Sequence, residues 1–496
     1  MSRLSGLKAG VRRVNVAGLA RVALAGGAAF ALVHVATTQS LDLDLVAASG
    51  EEPVVVPGTS LATRVTQVCP GPELTGIPGA PDVTVPASVV AESGPADLLP
   101  SPPEGEGTLS AASGATTLFS VDRRPGSANA RLPEGAPVRL TGEGALAPAF
   151  AATQEWRVDT KELRGLVTVP CTAGDSDLWL LAGGAGPGRQ ERLVLTNPGA
   201  NPVTAQVTVH GEAGPLGEPL LENVAPGSRV SLLLDAFHGE EQQPAVHVSA
   251  AGGGISATLT DTWVDGSTPL GAETTIAAAA PATEQVVPGA VVGDVPASLR
   301  VAVPGEEGAV VRVSILGDDG PVPTTGGSVL SVGPGGVGEL PLEGVPAGTY
   351  AVALSSDAPV VASVFSRSGD GQEPGDFAWS PAAEPLGTVG GAAFQEVGGL
   401  SRTLHLLSSD GNADVEVITV LDGAPRSRTL DLLADRLATV PLDGATSVWV
   451  RRTGGSGDVR GTVLSASGEG PARFLSAMPL EESVVASAVS RAVPRP

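Results

Sequence analysis

Lysine is nearly missing from this 496-residue chain. Only Lys8 and Lys161 occur, and the rest of the 29 basic residues are arginines. The arginine bias fits a GC-rich genome and says nothing of mechanism. Acidic residues number 53, giving a formal net charge of −24. Such a surface repels phosphates, which argues against a nucleic-acid partner. Its plain use is solubility; loose attraction of divalent cations is the sharper alternative. Aromatic residues are 3% of the chain, with one Tyr, five Trp and eight Phe. Sugar-binding platforms and antibody-like hot spots lean on aromatic faces, so both have few positions to use. Helix-period patterning is nearly absent beyond the N-terminus, against an all-α fold. With Cys69 and Cys171 alone, there are too few thiols for a zinc site.

Catalytic signatures are missing too. There is no G-x-S-x-G elbow and no H-E-x-x-H. Gly252-Gly253-Gly254 and Gly333-Pro334-Gly335-Gly336 lack the lysine and following helix of a phosphate loop, and read as turns needing positive φ. Carboxylates are so many that no pair stands out as acid and base. The sequence therefore offers no catalytic, cofactor-binding or metal-binding residue.

What is present is a repeat. The stretch from Arg192 to Glu273 opens with Arg192-Leu193-Val194-Leu195 and a turn at Asn197-Pro198-Gly199. Similar openings stand at Arg300-Val301-Ala302-Val303 and at Arg402-Thr403-Leu404-His405-Leu406, about 100 residues apart. Alternating strands follow in each: Ala205-Val207-Val209, Val311-Val313-Ile315 and Val415-Val417. Apolar residues two apart put one face in a core and the other in water. One strand pair cannot bury its own face, so each module must close two sheets. The expectation is an all-β chain of tandem immunoglobulin-like β-sandwich modules behind one N-terminal transmembrane helix.

The boundaries read as follows. Residues 1–13 are a basic tail, 14–36 a membrane anchor or signal segment, and 37–52 an acidic stalk. Residues 53–175 are an N-terminal β region with a Pro/Gly-rich loop at 71–108. They form either a fourth β domain or strands completing the first repeat. The repeats occupy 176–280, 290–387 and 396–480, with linkers around 277–280 and 381–398, and a frayed tail at 481–496.

The apolar run Val14–Ala36 follows Arg12-Arg13 and is interrupted by Arg21. Its length suits a bilayer-spanning helix, and no clean cleavage site follows it, so it reads as a retained anchor with a cleaved signal as the alternative. The first 36 residues carry five basic groups and no acid, so the remainder is five units more negative than the whole, at −29. That asymmetry places the N-terminus in the cytoplasm and the bulk outside. In an oxidising compartment Cys69 and Cys171 form one disulfide most economically, with two buried thiols as the alternative.

Few side chains invite chemistry. His34 lies in the apolar segment, and His238 begins an acidic loop. His210 and His247 point to water on strand alternation, and a metal between them lacks a flanking carboxylate. Asp410-Gly411-Asn412-Ala413-Asp414 resembles half of a calcium loop but lacks its later Gly and Glu, so a plain turn is the simpler reading. Tyr350 and Trp449 precede equivalent strands and read as core plugs, with exposed binding residues as the alternative.

The run Trp179-Leu180-Leu181-Ala182-Gly183-Gly184, the Arg192–Gly199 segment, Val207-Thr208-Val209-His210-Gly211 and the CPGPE element at Cys69 together resemble an actinobacterial cell-envelope family. It is catalogued only as a domain of unknown function, family 5719. The resemblance implies an envelope protein with an N-terminal anchor, β modules and no assigned activity. Three functions compete: a membrane-tethered scaffold binding an unknown envelope protein, a binder of a cell-wall polymer such as peptidoglycan or other carbohydrate, and an envelope hydrolase. The oligomeric state is not legible. Closing the 102-residue Cys69–Cys171 loop should stabilise the fold by about 4.7 kcal/mol in the chain-entropy account. Alkylation of the native oxidised protein should leave its mass unchanged; two adducts would refute the pairing.

Overall fold

The computed structural model describes residues 60–76, 81–101, 103–239, 241–395 and 397–486. The expected tail 1–13, anchor 14–36 with His34, and stalk 37–52 lie outside the described residues, as does the chain end after 486. Among the described residues no helix is long and apolar enough to cross a membrane. Apart from two 3-10 turns, Ala96–Leu98 and Gly470–Ala472, and one short helix α1 (Asp235–His238), the regular structure is strand.

The first sandwich contains β1 (Arg64–Cys69), β2 (Ser88–Ser93), β3 (Gly107–Ser113), β4 (Thr116–Val121), β5 (Gly126–Arg131), β6 (Val138–Gly144), β7 (Phe150–Asp159) and β8 (Arg164–Pro170). The second contains β9 (Asp177–Leu180), β10 (Arg189–Thr196), β11 (Val203–Gly211), β12 (Gly214–Val224), β13 (Arg229–Leu233), β14 (Ala245–Ala251), β15 (Ser256–Asp265) and β16 (Thr268–Ile276). The third contains β17 (Ala282–Val292), β18 (Ser298–Ala302), β19 (Ala309–Gly317), β20 (Gly320–Pro321), β21 (Val329–Val332), β22 (Val337–Pro341), β23 (Gly348–Arg367) and β24 (Phe377–Pro381). The fourth contains β25 (Val389–Ala393), β26 (Ser401–Ser409), β27 (Ala413–Leu421), β28 (Ala424–Leu432), β29 (Ala438–Pro441), β30 (Ala445–Gly455), β31 (Asp458–Ser467) and β32 (Phe474–Pro479).

One topology recurs. In the first sandwich the sheets run β1-β6-β3-β4 and β5-β2-β7-β8. The second and fourth repeat this order as β9-β14-β11-β12 with β13-β10-β15-β16, and β25-β30-β27-β28 with β29-β26-β31-β32. The third keeps the pairings but fuses its sixth and seventh strands into the 20-residue β23. The first half of β23 pairs with β17 and β19, and the second half with β18 and β24. Residues 64–170 are thus a complete copy of the same unit and do not complete the next one. It escapes the repeat pattern because β2 lies inside the Pro/Gly-rich stretch 71–108, which reads as loop.

Three expected boundaries differ. The link at 277–280 carries no strand, as expected, but the second repeat begins before 290, since 282–289 form most of β17. Gly390 and Gly391 lie within β25, where they make room rather than a turn: a Cβ on Gly391 would stand 2.4 Å from the Trp449 ring. Residues 481–486, expected to fray, are tied down together with Leu480 before them. Leu480 N–H donates to Gly461 O at 2.9 Å, Ser483 N–H to Val389 O at 2.7 Å, and Ala62 N–H to Val485 O at 2.9 Å.

Each sandwich has its own apolar core. In the sheet that carries strands three and four, alternation is clean: β11, β19 and β27 start buried–exposed–buried or buried–exposed–buried–half-buried. In the other sheet it fails. β8, β24 and β32 are buried at every residue, because the face expected in water lies against a neighbouring sandwich. That second face is polar and small: Thr258, Thr260, Thr262, Thr274 and Ser363 are all buried. The eighth strands meet in a ring, β8 against β16, β16 against β24, β24 against β32, and β32 against β8.

Contact at this ring is close. A Cβ on Gly165 of β8 would lie 2.7 Å from Ala272 O and 2.8 Å from Ala272 Cβ on β16. Gly165→Ala should therefore destabilise the protein by about 1–3 kcal/mol through overpacking. Urea unfolding of the variant checks this; an unchanged midpoint would show the ring to be loosely packed.

Candidate functional site

The axis of the ring holds the most unusual chemistry in the molecule. Asp376, just before β24, is 1% exposed. Its Oδ2 accepts the N–H groups of Leu166 on β8 and Leu475 on β32, both at 3.1 Å. Its Oδ1 accepts Ala272 N–H on β16 at 3.2 Å. One carboxylate in the third sandwich thus binds the backbone of the other three. Beside it, Glu273 accepts Ser476 Oγ–H at 3.1 Å and Ala477 N–H at 3.3 Å, and Ser476 Oγ accepts Thr168 N–H at 2.9 Å. Burial pushes the Asp376 carboxyl up to about 8, against four N–H groups that favour its charge. Burial and the Asp376 charge together hold Glu273 well above the ordinary glutamate value.

Arginines clamp the joints around this hub. Arg229 of the second sandwich donates to Pro70 O (2.8 Å), Pro72 O (3.0 Å) and Thr75 O (3.0 Å) of the first. Its targets belong to the CPGPE loop, whose Glu73 is buried beside Gln154 and Trp156. Arg300 of the third sandwich, 2% exposed, donates to Ala182 O, Gly183 O, Pro244 O and Gln242 O of the second, while its Nε meets Glu339 Oε1 at 2.8 Å. Arg460 of the fourth donates to Ala383 O at 3.1 Å after the third. Arg402 of the fourth holds both Glu155 oxygens of the first at 2.8 Å. Arg189 and Trp379 share Asp261, with Trp379 Nε1 at 2.8 Å. Arg402 lies on the same strand face as the core residues Leu404 and Leu406, whereas Arg300 alternates with the core residues Leu299 and Val301, so Arg402 is not the counterpart of Arg300 that the repeat suggests.

The singled-out residues fall as follows. Cys69 and Cys171 are joined, with S–S 1.97 Å, and both are buried. His210 does not face water: it is 6% exposed, covered by the third sandwich, and its Nδ1 donates to Gly335 O at 2.8 Å. His247 stacks on Trp179 with centroids 4.5 Å apart and meets Asp177 Oδ1 at 3.2 Å. His238 closes α1, and Glu240 of its loop lies outside the described residues. His405 is buried on the outer face of its sheet, which lowers its pKa to about 4. In the calcium-like stretch Asp410 has φ 58° and Asn412 Oδ1 accepts Ala434 N–H at 2.9 Å, the bonding of a turn. Among the described residues no group of three or more His, Cys, Asp or Glu is placed to hold a metal ion. Tyr350 packs on the third core, but Trp449 packs between the fourth sandwich and Leu98, Ala149 and Ala151 of the first. Trp156, Trp179, Trp379 and Trp449 are at most 4% exposed, and half-buried Trp263 carries Arg189 and Arg367, each 5.1 Å from its ring centre.

The profile of a family of unknown function, DUF5719, matches residues 121–443. This chain belongs to that family. The DUF5719 match takes in β8, β16, β24 and the hub residue Asp376, and stops before β30. No curated protein matches the chain. Among solved structures it is similar to the crystal structure of Thermotoga maritima 1070, at 16% identity over 21% of this chain and 95% of that one, with a TM-score of 0.18. It is also similar to the viral chemokine binding protein R17 encoded by rodent gammaherpesvirus Peru, at 9% identity over 64% of this chain and 89% of that one, with a TM-score of 0.16.

The hub sets a pH dependence. A carboxyl raised in the folded state binds more protons there than in the unfolded chain, so its stabilisation is full below the unfolded value and is lost as pH rises toward the folded one. For Asp376 that window runs from 3.8 to about 8. Stability should fall across it by up to about 1.4 kcal/mol per pH unit per such group. Asp376→Asn should flatten the slope by roughly one proton. It should also destabilise at pH 5 by about 1–3 kcal/mol, because its amide donors meet backbone donors. Urea titrations from pH 4 to 8 read both; parallel curves would remove Asp376 from the linkage.

Proposed function

We propose that this protein is a non-catalytic scaffold of the cell envelope, tethered by its N-terminal apolar segment, with a chain of immunoglobulin-like modules locked into one rigid body outside the cytoplasm. The observation that carries this is the use to which its buried charged groups are put. Asp376, Arg229, Arg300 and the Arg402–Glu155 pair bind neighbouring sandwiches, where an enzyme would aim such groups at a substrate. Binding of a cell-wall polymer by tryptophan platforms finds less support, since the rings lie under neighbouring residues. The acidic, lysine-poor surface suits a body that must stay soluble while holding specific partners.

In-cell crosslinking tests the reading. Amine-reactive reagents have only Lys8 and Lys161 to use, so carboxyl-directed coupling is the suitable chemistry. The full chain should stay with membranes through carbonate extraction, release when residues 1–36 are removed, and yield a reproducible set of envelope partners. Recovery of the full chain in the soluble fraction, without partners, would sink the proposal.

A further inference from the structure

On one side of the ring, where β8, β16, β24 and β32 end, lies a cavity of about 270 Å³. All four sandwiches contribute to it. Leu178 and Ile276 supply apolar wall, and the run 277–280 supplies a smooth floor of alanines. Gln67, Glu384, Glu481 and Glu482 supply polar groups, and the Gln67 Oε1 atom is buried without a partner.

The three glutamates are not equivalent. Glu384 accepts Ala280 N–H at 2.6 Å. Glu482 accepts Gly387 N–H and Thr388 N–H at 3.0 Å and Val389 N–H at 3.3 Å. Both therefore shape the fold. Arg460 also lies in the field of Glu384, though its own donors serve Ala383 O and Ser409 Oγ. Glu481 is half-buried, and its carboxylate accepts no hydrogen bond among the described residues. Its position is fixed by backbone alone, through Gly391 N–H to Glu481 O at 3.2 Å. Burial and the charges of Glu384 and Glu482 push the Glu481 carboxyl up to about 7. Glutamine would fill the same place without repulsion. A half-buried carboxylate that accepts no hydrogen bond from the fold is free to accept one from outside it.

We propose that this cavity receives an arginine side chain presented by an extended segment of a partner protein. The volume suits one long side chain. Its stem would lie along Leu178 and Ile276, and its planar fork would engage Glu481 together with the idle Gln67 oxygen. A bare divalent cation demands six or more oxygen ligands, and no such group is assembled among the described residues. The inference deepens the scaffold reading by giving one partner its chemistry.

The test uses the full chain and two fluorescein-labelled peptides, Ala-Gly-Arg-Gly-Ala and its glutamine counterpart, read by anisotropy. The arginine peptide should bind at least ten-fold tighter. Glu481→Gln should bring its affinity down to that of the glutamine peptide while raising the melting temperature. Glu306→Gln, an exposed glutamate of the third sandwich, should change neither. Equal binding of the two peptides, undiminished binding by Glu481→Gln, or a lowered melting temperature in that variant would overturn the proposal. So would displacement of the peptide by millimolar calcium chloride, which would make the cavity a metal site. A chain that crosslinks partners in cells yet binds neither peptide would overturn the cavity's role and leave the scaffold standing.

Discussion

A buried edge strand has amide groups that must find acceptors, and this molecule buries four of them at one place. In each sandwich the eighth strand is the end of its sheet, so one side of its backbone has no strand to pair with. Asp376 supplies the missing acceptors for Leu166, Ala272 and Leu475, and Glu273 and Ser476 do the same for Ala477 and Thr168. Unpaired, each such amide would cost about 1–3 kcal/mol. The closed ring therefore rests on a few carboxyl and hydroxyl oxygens at its centre, and the apolar cores stand around that point, the first taking in Ala272 and Ile276 of the second sandwich and the second taking in Phe377 and Trp379 of the third.

The joints further out follow a second rule, and it gives the arginine bias a structural use. Arg229, Arg300 and Arg460 each reach from one sandwich to backbone carbonyls of the one before. Carbonyls at a loop point in several directions, and the guanidinium offers five donors in a fixed fork that can meet them together. Arg300 uses that capacity in full, with four carbonyls and Glu339. A lysine ammonium has three donors and a stronger hold on its water, so it would leave some of those oxygens bare. The interfaces employ what lysine could not replace.

How much of this was legible depends on which face of a strand is considered. Residues that alternate between core and solvent, such as Val311-Val313-Ile315, announce themselves by period two, and they gave the all-β fold and three of the units. The faces that pack between sandwiches carry Thr258, Thr260 and Thr262, which look like a wet surface in sequence and are buried in the fold. That is why His210 was expected in solvent and lies beneath Gly335, and why Trp449 reads as a core plug and proves to sit between units. The first sandwich was hidden because proline and glycine flank β2 and mask a central strand as loop. Asp376 was unreadable: one acid among 53, with its three amide partners between about 100 and 210 residues away.

The seam between the fourth and first sandwiches is stitched by the two ends of the described chain, Leu61 bridging Ala486 and Ala62 bonding Val485. During synthesis the first strand leaves the ribosome some four hundred residues before its closing partner exists. In the interval the patch of Leu98, Ala149 and Ala151 waits for Ile418, Val420 and Trp449 of the fourth sandwich to cover it. The seam is therefore among the last joints to form, and a polypeptide halted before β27 leaves a sticky, unfinished surface for the quality-control machinery to find.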